Sequence, residues 1–162
     1  MEHAIRKHCT VHFDEDPAFY RRLSEKMEQL IRRYHDNWEA LAEGYEELRR
    51  EALAGRTETI GGLGREATVL HDHLVGLAFG GDKAPAEHAA RVEKLAADLI
   101  DLIRNTINVL DFWQKPIEVR RLRGNVDTEI LLADVPELTA KHERLAVELV
   151  KLAEKRHREI VS

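Results

Sequence analysis

Cysteine is nearly absent from this chain: Cys9 is the only one in 162 residues. A lone thiol excludes an internal disulfide framework and every multi-cysteine zinc site, and it fits a reducing compartment, the cytoplasm by default. Proline and glycine are scarce as well, four and nine residues, mostly clustered. That scarcity predicts long uninterrupted elements between a few sharp breaks. Long apolar runs are missing: the longest, counting Gly76, covers residues 74–79, far below the roughly 20 residues a spanning helix needs. The first residues are charged and His-rich rather than signal-like, so the expectation is a soluble chain with no membrane partner. An excess of positive charge is lacking too. Against 25 Lys and Arg stand 30 Asp and Glu, a net charge of −5. This argues against the whole surface binding a polyanion, because nonspecific nucleic-acid affinity comes from phosphate neutralisation by Lys and Arg. A local basic patch is compatible with it.

What is present is globular in kind, at 43% apolar and 34% charged, and of a length that buries one core. The length leaves no room beside that core for a motor or a nuclease. Hydrophobic period then organises the chain. Tyr20, Leu23, Met27, Leu30 and Tyr34 are spaced as the seam of an amphipathic helix, opened by Asp16 as cap and Pro17 as first helical residue. The seam continues through Trp38, Leu41, Tyr45, Leu48 and Ala52, with Asp36 and Glu39 as a capping-box variant at the join, which reads as two helices or one kinked rod. Residues 1–9 read as a short helix and 11–13 as an extended connector. A helix that begins at residue one without a cap also reads like the tail of something longer.

Gly55 is placed to stop the second long helix, and residues 57–64 read as a Gly/Thr loop. Ala67, Leu70, Leu74, Leu77 and Ala78 fit a helix ended by Gly80, and Pro85 opens the next. There Val92, Leu95, Leu99, Leu102, Thr106 and Leu110 form a stripe about six turns long. Pro116 begins a basic segment broken by Gly124 and followed by Ile130, Leu131 and Leu132. Pro136 opens the last helix, with its stripe at Leu138, Leu145, Leu149 and Leu152. No segment reads as a strand. The expected fold class is all-α: one bundle-like domain over residues 1–162, five to seven helices, no sheet. Residues 1–15 lead in, 16–55 form a long helical pair, 65–110 the central helices and 116–160 the C-terminal helices.

Chemistry-bearing groups are few. His8 and His12 lie four apart, with His3 and Cys9 nearby, the composition of a transition-metal site without a forced fourth ligand; exposed or capping histidines are the plainer reading. His71-Asp72-His73 has catalytic composition, yet neighbours on a helix point about 100° apart, so at most two of the three converge. No Glu-x-x-His pair suggests a di-iron bundle, and there is no His-Glu-x-x-His. Arg6 and Lys7 stand beside Cys9 and would lower its pKa, but no base is assigned to it. Gly61-Gly62-Leu63-Gly64 lacks the Lys-Ser/Thr pair of a phosphate-binding loop, since Arg65 and Glu66 follow. No catalytic residue, cofactor or metal site is therefore expected, and no small-molecule substrate. Basic pairs recur among glutamates on helix exteriors, whereas the cluster Arg120, Arg121 and Arg123 has fewer acids around it. It is the candidate contact for DNA or an acidic partner, against an intramolecular bridge. Trp113 beside Phe112 reads as a core plug at a helix junction.

The run Phe13-Asp14-Glu15-Asp16-Pro17-Ala18-Phe19-Tyr20-Arg21-Arg22-Leu23-Ser24-Glu25-Lys26, then Asp36-Asn37-Trp38-Glu39, resembles one known family. Asp111-Phe112-Trp113-Gln114-Lys115-Pro116, Val119, Leu122, Arg123 and Pro136-Glu137-Leu138 follow in the same order. Over roughly residues 1–157 the chain resembles the C-terminal helical domain of the R (restriction, motor) subunit of type I restriction-modification enzymes. The resemblance implies a piece of a larger machine that translocates DNA with ATP and cleaves it, bound to a core of M (methylating) and S (specificity) subunits. Its nuclease pattern, an Asp followed by Glu-x-Lys, and its Gly-x-x-x-x-Gly-Lys-Ser/Thr motor loop are both absent, so no catalytic residue carries over. The implied role is docking of the motor subunit onto the methylating core, with contact to translocating DNA as the alternative.

Overall fold

Proline, glycine and short polar caps place the breaks. The structure, a computed structural model, describes residues 1–162 and consists of helices and turns with no strand. No helix is long and apolar enough to cross a membrane. Seven of the α-helices run eleven residues or more. Two further ones of four and five residues take the number past that predicted, because a stripe of several turns is legible in a sequence and a single turn is not. The chain sorts into two compact units, Met1–Glu58 and Thr59–Ser162, each around its own buried cluster, where length and periodicity suggest one core.

In the first unit α1 (Glu2–His12), α2 (Pro17–Tyr34) and α3 (Trp38–Ala54) pack on one another. Ile5 and Cys9 of α1 meet Phe19, Tyr20, Leu23 and Met27 of α2 and Leu41, Tyr45, Leu48 and Ala52 of α3. Residues 11–13, expected to be extended, instead finish α1 and enter a 3₁₀ turn, Phe13–Glu15. The physical break comes later: Pro17 clashes with a helical conformation at the residue before it, and Asp16 takes φ −153°. Asp16 Oδ1 then accepts the Phe19 N–H at 3.1 Å, the expected cap. At the join to α3 the cap is Asn37, whose Oδ1 accepts the Ala40 N–H at 3.1 Å, rather than Asp36. Trp38 consequently becomes the first helical residue and is 79% exposed, off the seam expected for it; burial on α3 starts one turn later at Leu41.

The second unit contains α4 (Arg65–Phe79), α5 (Ala86–Ile107), the 3₁₀ turn Phe112–Gln114, α6 (Pro116–Leu132), α7 (Pro136–Thr139), α8 (His142–Lys155) and α9 (His157–Val161). α6 packs on α8 and α5, and α4 packs on α5 and α8. Leu70, Leu74, Leu99, Ile103, Leu122, Ile130, Leu145 and Leu149 sit at its centre. On α5 the buried stripe runs through Val92, Leu95, Leu99, Ile103 and Ile107, while Leu102 and Thr106 are half-buried. Leu110 is 83% exposed, because the helix ends at Ile107 and Asn108 leaves the helical region. Gly80 ends α4 at φ 73°, a conformation glycine adopts without penalty. Pro136 opens only the short α7, and the last long helix starts at His142. Unsatisfied carbonyls at helix ends are covered by basic side chains: Lys141 Nζ donates to the Ala78 oxygen of α4 at 2.8 Å. Arg91 reaches the Asp134 oxygen beyond α6, and Arg104 the Ile160 oxygen of α9, each at 2.9 Å.

Candidate interaction surface

α6 starts at Pro116, whose missing N–H costs nothing at the first helical position. Lys115 Nζ donates to the Leu110 oxygen at 2.9 Å, tying the preceding loop to the helix start. Leu122, Val126 and Ile130, one turn apart, are inaccessible. At about 100° per residue the opposite meridian runs through Ile117, Gly124, Thr128 and Leu131, with Leu132 beside it. Ile117 and Leu132 are each 71% exposed and Leu131 41%. α6 is thus apolar on two sides, only one of which has a partner in this chain.

Arg120, Arg121 and Arg123 are all exposed on this helix. Arg120 and Arg121 flank the outward meridian, and Arg123 lies further round, toward the buried side. The intramolecular bridge accounts for one of them: Arg121 Nη1 donates to both carboxylate oxygens of Glu118, at 2.9 and 3.1 Å. Asp127 is held by His142, Nδ1 to Oδ1 at 2.6 Å. Arg120 and Arg123 make no ion pair with any carboxylate of the chain. The basic character was readable from the scarcity of acids around them. The exposed apolar residues were not singled out, although their signal exists: positions 117, 131 and 132 are out of phase with 122, 126 and 130.

Most of the remaining chemistry-bearing residues are engaged structurally. The His8 and His12 rings lie 4.4 Å apart between centroids, but His8 Nε2 bonds the Ala52 oxygen at 3.0 Å and His12 Nδ1 bonds Glu15 at 3.0 Å. His3 points away from this pair on an exposed part of α1. Nowhere do three His, Cys, Asp or Glu side chains converge as a metal-ligand set. His71 Nδ1 meets Asp72 Oδ1 at 3.1 Å, both buried in α4. Burial pushes the Cys9 thiol up from its ordinary value, partly offset by a hydrogen bond with Ser24, the reverse of what a nucleophile needs. The 61–64 loop is tethered by Thr68, whose Oγ1 donates to the Gly64 oxygen and accepts from the Ile60 N–H. Phe112 is buried, while Trp113 packs edge-on against it and donates Nε1–H to His157 Nδ1 at 3.2 Å. No protein-family model, no curated protein and no solved structure matches the chain.

Proposed function

We propose that this chain is an assembly module, the C-terminal helical domain of a type I restriction R subunit. In this reading it docks the ATP-dependent DNA translocase and nuclease onto the M and S subunits in the cytoplasm. On its own it is no enzyme and takes no cofactor or small-molecule substrate. The observation that supports this best is the outward side of α6, where Ile117, Leu131 and Leu132 are exposed and Arg120 on its flank has no carboxylate partner. The test is capture of a purified M–S complex by the folded 162-residue chain, with ATPase and nuclease assays alongside. Binding at micromolar concentration without turnover is expected; no binding by a demonstrably folded chain refutes the assignment.

A second reading, nucleic-acid contact through Arg120, Arg121 and Arg123, is favoured by the two guanidiniums that lack a carboxylate. It predicts duplex binding that weakens steeply with salt and on replacement of these arginines by alanine. A flat salt response removes it.

A further inference from the structure

We infer that the hydrogen bond between Trp113 and His157 is a proton-released latch, which joins the 3₁₀ turn at Phe112–Gln114 to α9 only while the imidazole is neutral. This is independent of the assembly reading. The indole Nε1–H can only donate, and it meets His157 Nδ1 at 3.2 Å. Nδ1 is therefore the ring nitrogen with the free lone pair, and the proton of the neutral imidazole sits on Nε2. A second proton has to go on Nδ1. The acceptor then becomes a donor, two N–H groups face each other, and the bond is lost. The rings are nearly perpendicular, at 85° with centroids 6.3 Å apart. The N–H rim of the indole, the positive part of its π-system, points at the imidazole, so no cation–π attraction replaces the bond.

Three other histidines of this unit are placed the opposite way. His71 has Asp72 at 3.1 Å, His142 has Asp127 at 2.6 Å, and His88 lies 3.7 Å from Glu137, so a proton on any of these gains a carboxylate. His157 forms no ion pair. α9 packs on α5 and α8, where Arg104 bonds the Ile160 oxygen and Asp101 and Arg156 holds Glu66. Beside the turn, Lys115 bonds the Leu110 oxygen and Glu118 holds Arg121. Asp111 ahead of the turn, and Glu154, Lys155, Arg158 and Glu159 around His157 in the chain, are exposed. Acidification between about pH 8 and about pH 5, where an imidazole changes charge, thus undoes this contact selectively. Buried Ile160 and the Arg104 bond keep α9 in place, so the response is a freed indole and not an unfolded helix.

The test follows the indole N–H of Trp113 by NMR in the full chain, between about pH 8 and about pH 5. As pH falls, its resonance should move to the position of a solvated indole. Its exchange with water, corrected for the intrinsic pH dependence, should quicken about two- to tenfold, the range that one hydrogen bond allows. Helix content by circular dichroism should stay constant. With Gln in place of His157 the side-chain oxygen accepts at every pH, so in His157→Gln protein both changes should vanish, and in His142→Gln protein both should persist. A resonance that stays in place, a shift that survives His157→Gln, or one abolished by His142→Gln overturns the inference. Loss of helix content together with the shift also overturns it, since the proton then acts on the fold and not on the latch. The parent chain alone supplies a second check. At the alkaline end the ring nitrogen shifts of His157 should report the proton on Nε2; the opposite tautomer overturns the inference whatever the variants do.

Discussion

Both units close on the same kind of lock, and they depend on it unequally. In the first, Arg56 follows Gly55 at the end of α3 and grips Asp16 ahead of α2, Nε to Oδ2 at 2.7 Å and Nη2 to Oδ1 at 2.9 Å. In the second, Arg156 at the end of α8 grips Glu66 in the first turn of α4 through two contacts of 2.7 Å. Each carboxylate sits at a helix N-terminus and each guanidinium at a helix C-terminus, so the helix dipoles favour both charges where they stand. The surroundings differ. Asp16 also caps α2 through Phe19, and its unit is the smaller one, edged by Tyr20 and Tyr45. The second unit carries buried aliphatic residues on all of its long helices. A smaller core supplies less surplus stability, so the same lock is a larger share of what holds the first unit.

The largest effect should come from Arg56→Ala. It strips a buried carboxylate of its partner, a loss on the order of 3–5 kcal/mol. Hydrogen exchange should show α1, α2 and α3 losing protection while α4 to α9 keep theirs. Equal loss in both units would break the contrast. Arg156→Ala should cost less, about 2–3 kcal/mol, because Glu66 keeps some water and the favourable end of α4. Thermal unfolding of the second unit should shift while its helices persist at room temperature; unfolding at that temperature would show the aliphatic core to be weaker than its burial implies.

What could be read in the sequence follows from range. Asp16 with Pro17, the stop at Gly55 and the seam from Tyr20 to Met27 are local signals, and each is seen in the structure. The partner of Asp16 lies 40 residues away, and nothing in either segment announces it. Trp38 and Leu110 went astray for a different reason. Period reasoning carries a stripe past the residue where the helix begins or ends, and one residue of error at a cap moves a large side chain from core to water. On the candidate surface Arg120, Arg121 and Arg123 were legible because charge imbalance is visible in one dimension. The exposure of Ile117 and Leu132 was not, since an apolar residue on a helix is taken for core until its neighbours are known.

A smaller effect concerns Cys9, which ties α1 to the first unit's core. Burial raises the thiol above its ordinary range, so the folded chain favours the protonated form. Its contribution to stability is therefore complete below the ordinary thiol range and is lost as pH rises through the raised value. Since the thiolate is the species that reacts and the side chain is buried, iodoacetamide should modify native Cys9 at mildly alkaline pH more slowly than denatured chain. Equal rates would mean that α1 detaches readily and that the first unit is looser still than the comparison holds.

The smallest effect should be that of Trp38→Ala, and it sharpens the contrast because each unit carries one tryptophan. Trp38 is exposed at the start of α3, whereas Trp113 packs on Phe112 and bonds His157. Removing a side chain already in water should change stability by less than about 0.5 kcal/mol. In Trp113→Phe protein the remaining emission should be that of a solvated indole, freely quenched by acrylamide. In Trp38→Phe protein it should be shielded, and it should respond to unfolding of the second unit alone. The two variants thus give each unit its own optical reporter, against which the Arg56 and Arg156 substitutions can be scored separately. If Trp38 is shielded in the isolated chain, the first unit has a cover in solution that its own three helices do not provide.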